Sequence, residues 1–428
     1  QLRQVGNTIK RRALSQLPQL LERLEQNCTR NGIQVHWAET TAEANRQVLR
    51  IMHAHQATRL VKGKSMVSEE MGLNEFLQDN KIEVVETDLG EFIIQLNNEK
   101  PSHIIVPAIH KNKQQIAHIF HQKLVDTPYT EDVEELNAIA RRTLRQKFYK
   151  AQVGLSGVNF AVAETGTLCL VENEGNGRMS TTVPPVHIAV MGLEKVVEQL
   201  AEIPPMLRLL TGSATGQLIT TYVNMITSPR KPGEKDEPKE VHLIILDNGR
   251  SAVLSEPQLR QTLQCIRCGT CLNHCPVYTR LGGHAYGFVY PGPIGEILTP
   301  QIEGLDVAGE LATASTLCNA CEEVCPVMIP IPRLIRRMRT ESYAKDSSAT
   351  VKGHGHKANF LESTAWKLWA KMNTNPWLNL LNSRILGLLG GLLPKAGPLK
   401  AWTSVRSKPK LAAKSLHQRV KEREMNHG

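Results

Sequence analysis

Seven of the nine cysteines lie in two short runs, and their spacing is the feature of this 428-residue sequence most able to do chemistry. The first run places Cys265, Cys268, Cys271 and Cys275 in the pattern C-x2-C-x2-C-x3-C-P. Three thiolates two residues apart can hold three irons of one cubane cluster, and the fourth, which precedes a proline, points to a second cluster. The first run therefore predicts iron–sulfur clusters and electron transfer.

The second run repeats this pattern with Ser315 in place of its first cysteine. Because the last thiolate of each run ligates the other cluster, the two runs exchange one ligand each. Of two expected [4Fe–4S] clusters, the second thus has three cysteines, and its fourth corner requires the Ser315 oxygen, a water or partner ligand, or a [3Fe–4S] cluster without that corner. The expected ligands are Cys265, Cys268, Cys271 and Cys325 for cluster one, and Cys275, Cys318 and Cys321 for cluster two.

Zinc is the alternative metal, since paired C-x2-C motifs also form tetrahedral sites. A zinc site would need only four ligands. Four cysteines within eleven residues, the last of them followed by proline, and a second run of the same form favour cubane clusters instead. We assign no ligand role to His274 or His284. Cys28 and Cys169 stand apart from the runs and are expected to be small buried residues.

No nucleophile–base pair, phosphate-binding loop or dinucleotide fingerprint occurs in the sequence. Substrate chemistry is therefore expected to rest on subtler features of this chain or on a partner. Two clusters with exchanged ligands predict a path for electrons rather than a complete active site.

An α/β layered domain is predicted upstream of the cysteines. Apolar residues at helical intervals predict a helix over 8–27, which Pro18 splits or kinks. Over 33–249, β-type runs alternate with amphipathic stretches, which is the pattern of a layered α/β fold. A tight hairpin at Thr165-Gly166 and an exposed loop over 228–240 are also predicted. The β-type runs cover 82–86, 92–96, 103–109, 186–192 and 241–247.

The length of the chain suits several domains. We expect an N-terminal helical segment at 1–32, an α/β domain at 33–249, an α-helical two-cluster ferredoxin-type module at 250–345, and a basic, helical C-terminal domain at 346–428. In the module, metal rather than a large core is expected to hold the ligand-bearing loops.

The net charge of +10 comes entirely from the C-terminal end of the chain. Residues 351–428 contain 14 Lys and Arg against 3 acidic residues, a net charge of +11, so the other 350 residues carry −1. No compact recognition motif accompanies this charge, which disfavours nucleic acid. We expect docking to a partner, with peripheral contact to an anionic membrane as the second choice. The tryptophans here are Trp366, Trp369, Trp377 and Trp402, of which the first two are expected to form a packing face.

The longest strongly apolar stretch, 385–393, is far shorter than the roughly 20 residues that span a bilayer. The opening segment is polar and basic and lacks the apolar core of a secretory signal. Together with the 41% hydrophobic content, these features predict a cytoplasmic protein.

Two polar segments of the α/β domain are candidate ligand sites. Lys62, Lys64 and Ser65 precede a helix whose N-terminal N–H groups could help to bind a carboxylate or phosphate. The alternative is a helix that Ser65 merely caps. Glu164 and Arg178 flank a β-type run in glycine- and acid-rich segments, where a ligand loop and solvated turns are equally expected. The fold type alone does not make Glu164 a nucleophile.

With these residues in place, the chain resembles the iron–sulfur subunit of the bacterial three-component L-lactate utilisation system, the lactate utilization protein B family, over essentially its whole length. The stretches that carry the resemblance are VKGKSMVSEEMGLNE (61–75), VVETDLGEFIIQL (84–96), PSHIIVPAIHKNK (101–113), ETGTLCLVENEGNGR (164–178), CIRCGTCLNHCPVY (265–278), GGHAYGFVYPGPIG (282–295) and STLCNACEEVCPV (315–327).

The resemblance implies a LUD domain, related to the sugar-isomerase and CoA-transferase type of α/β fold, then a ferredoxin-like module and a short C-terminal domain. It implies oxidation of L-lactate to pyruvate together with a cysteine-rich subunit and a second LUD-domain subunit. It also carries the cluster ligands onto the seven cysteines, and serine at 315 is shared with the family. The competing hypothesis is a stand-alone redox-sensing or small-acid-binding protein.

Overall fold

The computed structural model describes residues 1–236, 238–343, 351–353, 360–389, 404, 407, 412 and 414–427. The chain divides into two compact units, Gln1–His356 and Lys357–Gly428. The first unit contains the α/β domain and both cysteine runs, and the second contains the basic C-terminal helices.

The strands of the described chain form two sheets, both in the first unit. In chain order the strands are β1 (Gln34–Ala38), β2 (Arg59–Lys62), β3 (Glu83–Glu86), β4 (Val153–Gly157), β5 (Phe160–Val162), β6 (Thr167–Glu172), β7 (Val186–Gly192), β8 (Val196–Val197), β9 (Tyr222–Ile226) and β10 (Glu240–Leu246).

Helices surround these sheets. In the first unit they are α1 (Leu2–Ser15), α2 (Leu17–Arg30), α3 (Thr41–Ala54), α4 (Met66–Glu70), α5 (Leu73–Asp79), α6 (Leu89–Leu96), α7 (Lys113–Lys123), α8 (Val133–Lys150), α9 (Asn176–Thr182), α10 (Ile203–Ala214), α11 (Arg250–Ser255), α12 (Thr270–Asn273), α13 (Pro276–Leu281), α14 (Gly292–Glu303), α15 (Leu305–Ala308), α16 (Ala320–Val324) and α17 (Ile331–Ser342). Short 3-10 helices cover Leu193–Lys195, Leu200–Glu202, Leu259–Gln264, His284–Tyr286 and Gly309–Ala314.

The larger sheet has six parallel strands in the order β1-β10-β7-β4-β2-β3. Its central strands β4, β7 and β10 are apolar and almost entirely buried, as expected where helices cover both faces of a parallel sheet. The predicted strands at 82–86, 186–192 and 241–247 are confirmed as β3, β7 and β10. The layered α/β fold predicted from the alternating pattern is therefore confirmed.

The smaller sheet has the order β8-β5-β6-β9 and contains the predicted hairpin. β5 and β6 are antiparallel, with Val162 opposite Thr167. Gly166 turns the chain at φ +68°, and its N–H donates to the carbonyl of Val162 at 2.9 Å. Asn27 of α2 donates to the carbonyl of Ala163 at 2.7 Å, so the N-terminal helices hold this turn. In the predicted loop, residues 231–236 are exposed.

The predicted N-terminal helix is confirmed as two helices, α1 and α2, which meet at Gln16. Pro18 lies in the first turn of α2, where its missing N–H would have no partner within the helix. The proline therefore begins a helix rather than bending one.

The predicted strand at 92–96 is wrong, because these residues belong to α6. Asp88 caps this helix by accepting a hydrogen bond from the N–H of Glu91 at 3.1 Å. The apolar run is buried within the α/β domain in helical conformation, so its hydrophobicity alone did not reveal its backbone conformation.

The predicted strand at 103–109 is also wrong, because this segment forms turns. The Nδ1 atom of His103 accepts hydrogen bonds from the N–H groups of Ile105 and Val106, at 3.0 and 3.1 Å. These two N–H groups therefore bond to a side chain, whereas in a β-strand they would be available to an adjacent strand.

One continuous hydrophobic core joins the N-terminal helices, the smaller sheet and the cysteine-bearing region. Leu14, Leu24, Val197, Leu263 and Leu334 are each at most 4% exposed and belong to this core. Packing thus crosses the predicted boundaries at 32 and 249, and the ligand-bearing loops are held by a core as well as by any metal.

Buried charges also tie the α/β domain to the first cysteine run. The carboxylate of Glu194 accepts hydrogen bonds from Arg250 Nε at 2.8 Å and Arg267 Nη2 at 3.2 Å. Glu70 accepts two bonds from Arg250, at 2.8 and 2.7 Å, and one from the Tyr290 hydroxyl at 2.7 Å. Burial raises the pKa of Glu194, but Arg250 and Arg267 outweigh burial and lower the pKa to about 2. This carboxylate is therefore ionised and paired.

In the second unit the described helices are α18 (Phe360–Thr374), α19 (Pro376–Leu389) and α20 (Leu416–His427). The rings of Trp366 and Trp369 meet edge to face with centroids 5.8 Å apart. The two residues are 60% and 58% exposed, so their predicted packing face is not buried within the described part of the chain. Trp402 lies outside the described residues. Among the residues described, no helix has the length and apolar character needed to cross a membrane.

We predict that Glu194→Gln lowers the free energy of unfolding by about 3–5 kcal/mol, because it removes the carboxylate that the buried Arg267 faces and one of the two that the buried Arg250 faces. Denaturant unfolding of anaerobically purified protein, followed by circular dichroism, measures this change. Glu75→Gln, at an exposed position of α5, is the control and should change stability by less than about 0.5 kcal/mol. Equal stability of the two variants would contradict the role of the buried network.

Candidate metal centres and an adjacent cavity

The first ligand loop runs from Cys265 to Cys271, the second residue of α12. Two residues in the left-handed region turn its backbone, Arg267 at φ +61° and Gly269 at φ +75°. A Cβ atom at Gly269 would lie 3.0 Å from Ile105. Glycine is therefore needed here both for the backbone conformation and for the close approach of the 103–109 turns.

The fold brings Cys325, from the second run, to the thiols of the first. The pKa of the Cys271 thiol is raised, mainly by burial and then by the nearby Cys265, Cys268 and Cys325. The packing agrees with this, because α12, which carries Cys271, contacts α16, which ends directly before Cys325. The four cysteines expected to hold cluster one are thus gathered in one place.

Cys275, Cys318 and Cys321 form a second group. Burial raises the pKa of Cys321 to about 12, with further contributions from Glu296, Cys275 and Cys318 in that order. Cys275 also lies within electrostatic reach of Glu296 and Cys318. The three cysteines expected to hold cluster two are therefore neighbours, and a carboxylate lies beside them.

The backbone of the second run repeats that of the first, which places Ser315 where the first run has Cys265. Leu317 and Asn319 have φ values of +56° and +69° at the positions of the two left-handed residues of the first loop. The N–H of Leu317 donates to Ser315 Oγ at 3.2 Å, as the N–H of Arg267 donates to Cys265 Sγ at 3.4 Å. Ser315 therefore occupies a ligand position with an oxygen in place of sulfur.

The donor set fits two iron–sulfur clusters. All seven cysteines are free thiols. The backbone N–H groups of Tyr278 and Ile329 point at Cys275 Sγ and Cys325 Sγ, at 3.5 and 3.3 Å, and such N–H···S contacts tune bound clusters. Burial raises the pKa of most of these thiols, to about 11 for Cys325, and iron would displace their protons on binding. Bound clusters would supply one-electron redox chemistry.

Glu296 is a buried acid that sequence reasoning missed. It lies on α14 with 0% exposure, and neither of its carboxylate oxygens has a hydrogen-bond partner among the described residues. Burial raises its pKa to about 8, while Arg339 and the hydroxyl of Ser315 act in the opposite direction. The sequence held one sign of this buried acid, because Glu296 is an acidic residue within the otherwise apolar segment GPIGEILTP.

A cavity of about 400 Å³ opens between the α/β domain and the first ligand loop. Its walls come mainly from residues 63–67, 104–107 and 170–174. Lys195 and Arg267 also line it, although neither was predicted as a site residue. Arg267 was visible in the sequence as a basic residue inside the first cysteine run. Burial lowers the pKa of Lys195 to about 8, against the attraction of Glu194.

Among the predicted ligand residues, Lys64 and Ser65 line this cavity. The Lys64 ammonium donates to the carbonyl of Ile105, and burial lowers its pKa. Ser65 also caps α4, accepting from the N–H of Ser68 at 3.3 Å, so the capping interpretation is confirmed.

Lys62, Glu164 and Arg178 do not contribute to this cavity. Lys62 is buried between Glu69 and Glu86, each 2.5 Å away. Glu164 is exposed at the hairpin and accepts from the N–H of Leu200 at 2.9 Å. Arg178 is exposed on α9 and lines a different cavity of about 830 Å³.

Two histidines and two cysteines were given no ligand role from the sequence. His274 and His284 bond to backbone carbonyls, of Thr270 at 3.0 Å and Lys100 at 2.8 Å. Cys28 and Cys169 are fully buried, which confirms the prediction for both.

Three family models match this chain. They are the LUD domain over residues 21–246, the 4Fe-4S dicluster domain over 261–329, and the C-terminal domain of lactate utilisation protein B over 337–425. The LUD match begins 12 residues before position 33 and the C-terminal match nine residues before position 346, so the matched ranges and the predicted modules overlap without sharing boundaries.

Curated relatives match over nearly the whole chain. Lactate utilization protein B of Bacillus subtilis (strain 168) is 42% identical over 95% of this chain and 84% of its own length. The protein of the same name from Anoxybacillus flavithermus is 42% identical over 98% and 89%. An uncharacterized electron transport protein, YkgF, of Escherichia coli (strain K12) is 41% identical over 97% and 86%.

Among solved structures, a DUF162 family protein from Deinococcus radiodurans aligns with 54% of this chain and 98% of its own, at 13% identity and a TM-score of 0.32. The family is shown by the sequence relatives and the three matching models. The chain belongs to the lactate utilization protein B family, whose modules are a LUD domain, a 4Fe-4S dicluster domain and a characteristic C-terminal domain.

Proposed function

We propose that this chain is the iron–sulfur electron-transfer subunit of a complex that oxidises L-lactate to pyruvate. The observation that carries the proposal is the gathering of seven free thiols into two groups that exchange Cys275 and Cys325. Membership of the lactate utilization protein B family supports lactate as the substrate.

Oxidation of L-lactate to pyruvate releases two electrons and two protons. An electron-transfer subunit with two one-electron sites can take both electrons while the protons leave with water or a base of the substrate site. The proposed partners are a cysteine-rich subunit and a second LUD-domain subunit. The exposed Trp366 and Trp369 of α18 offer an aromatic docking face for such a partner, with peripheral membrane contact as the second choice.

The exchange of ligands is tested with single-cysteine variants. Cys325→Ala should remove cluster one and Cys318→Ala should remove cluster two, although both residues belong to the second run. Each should lower the iron content after anaerobic reconstitution from about seven or eight to about three or four per chain. In EPR spectra of the reduced proteins, Cys325→Ala should show only the signal of cluster two, and Cys318→Ala only the signal of cluster one. Cys169→Ala is the control and should keep both.

The same spectrum for Cys325→Ala and Cys318→Ala would contradict the exchange. Stoichiometric zinc with almost no iron in the anaerobically purified wild type would contradict the proposed function as a whole.

The assignment to a complex is tested by activity. L-lactate-dependent dye reduction should require the cysteine-rich and second LUD-domain partners and should vanish when Cys271→Ala replaces the wild-type chain, because the path for electrons is broken. Substrate-independent dye reduction by dithionite-reduced complex is the control for assembly. Full lactate oxidation by this chain alone would show that the partners are not required.

Binding of a small carboxylate is the second candidate function, and the position of Arg267 favours it. This side chain lines the cavity, and its Nη1 atom has no hydrogen-bond partner among the described residues. The acidic groups of the cavity are engaged elsewhere: Glu172 accepts from the N–H of Gly177 at 2.7 Å, and Glu174 accepts from that of Leu89 at 3.1 Å. An anion would therefore find an open N–H donor on Arg267, directly next in sequence to the expected cluster ligand Cys268.

This binding is tested by titration calorimetry with L-lactate and with pyruvate. Lys64→Ala should weaken binding at least about tenfold, since a charge-assisted hydrogen bond contributes about 1.5–3 kcal/mol. Arg178→Ala, which removes a cation from the other cavity, is the matched control and should bind as the wild type does. Equal losses in both variants, or no binding by the wild type, would contradict a carboxylate site here.

A further inference from the structure

The second group of thiols has one corner without a cysteine, and two oxygen-bearing side chains lie beside that corner. Ser315 occupies the position that corresponds to Cys265. Glu296 lies on α14, which packs against α12, the helix of Cys271, and against the 3-10 helix Gly309–Ala314 that directly precedes Ser315. The electrostatic influence of its carboxylate on Cys275 and Cys321 agrees with this position. Both oxygen-bearing side chains are therefore candidate ligands.

The two candidates differ in reach. A serine oxygen lies closer to its Cα than a cysteine sulfur does, and metal–oxygen bonds are shorter than metal–sulfur bonds. At a backbone position matching that of Cys265, Ser315 therefore extends less far than the thiolate that a cubane would bind. The longer side chain of Glu296 has no such limit.

They differ also in chemistry. A serine must lose a strongly held proton to become an anionic ligand, whereas a carboxyl group ionises readily when a metal binds it. Ser315 Oγ already accepts a hydrogen bond from the N–H of Leu317. Both oxygens of Glu296 are buried without a hydrogen bond of ordinary geometry to a described residue, and only the Ser315 hydroxyl and the charge of Arg339 favour the ionised form. A carboxylate here is therefore costly unless a cation faces it.

We propose that the carboxylate of Glu296 is the fourth ligand of cluster two and that the hydroxyl of Ser315 donates a hydrogen bond to this carboxylate. On binding, an Fe–O bond forms and the carboxyl proton leaves to solvent, without any change of oxidation state. Ser315 is then a positioning residue. The inference rests on the proposed function, because it requires a cluster at the second group of thiols.

The experiment uses full-length chain reconstituted anaerobically with ⁵⁷Fe and sulfide, then examined by iron analysis, Mössbauer spectroscopy and EPR of the oxidised protein. The wild type should bind about eight irons in two [4Fe–4S] clusters. Glu296→Gln should bind about seven and show a three-iron signal, while cluster one is unchanged. Ser315→Ala should retain about eight.

Two further variants separate loss of a ligand from loss of folding. The double variant Glu296→Gln/Ser315→Cys supplies a thiolate at the position matching Cys265 and should restore about eight irons. Glu303→Gln, at an exposed position of the same helix, should behave as the wild type.

An unchanged iron content and Mössbauer spectrum in Glu296→Gln would overturn the inference. Loss of one iron in Ser315→Ala with none lost in Glu296→Gln would overturn it as well and assign the corner to serine. Both outcomes leave two clusters in the wild type and so leave the proposed function standing. A wild type that takes up no cluster would instead refute the proposed function.

Discussion

The carboxylate of Glu194 lies where three parts of the chain meet. Its oxygens face Arg250 and Arg267, and its backbone carbonyl accepts a hydrogen bond from the Lys10 ammonium of α1 at 2.6 Å. Ionised groups this deep in a protein are stable only when paired, so each partner constrains the positions of the others. The N-terminal helix, the end of β7 and the first ligand loop are therefore fixed together by one buried charge.

Arg267 shows what this arrangement permits. The guanidinium bonds to Glu194, lies 4.9 Å from the ring centre of Tyr290, and also lines the cavity. A cluster held by Cys265 and Cys268 would thus share its loop with a side chain that a bound anion could contact. If the cavity binds an anion, the affinity for that anion and the redox equilibrium of cluster one must influence each other reciprocally.

The sequence alone predicted those features that depend on residues close together along the chain. Cysteine spacing predicted the 4Fe-4S domain that a family model matches, and alternating β-type and helical patterns predicted the layered α/β fold. It failed at 92–96 and 103–109, where a helix cap by Asp88 and two hydrogen bonds to His103 decide the conformation. Apolar runs of five to seven residues do not distinguish a buried strand from a buried helix or turn.

Site residues divide in the same way. Lys64 and Ser65, predicted because they are adjacent in sequence to a helix start, line the cavity, whereas Glu194 and Glu296 are surrounded by residues far along the chain. Glu164 and Arg178 illustrate the converse, since their composition suits a ligand loop while the fold turns both to solvent. Long-range packing, which no local pattern records, decided each of these cases.

The proposed exchange of cysteines between the runs would also set an order of events during synthesis. The thiol gathered with Cys265, Cys268 and Cys271 is that of Cys325, 54 positions beyond Cys271. At ribosomal rates of about 5–20 residues per second, roughly 3–11 seconds separate the two. The carbonyl of Cys325 accepts a hydrogen bond from Arg3 Nε at 3.0 Å. With the ligands exchanged as proposed, the nascent chain carries an open set of three thiols until Cys325 has been made.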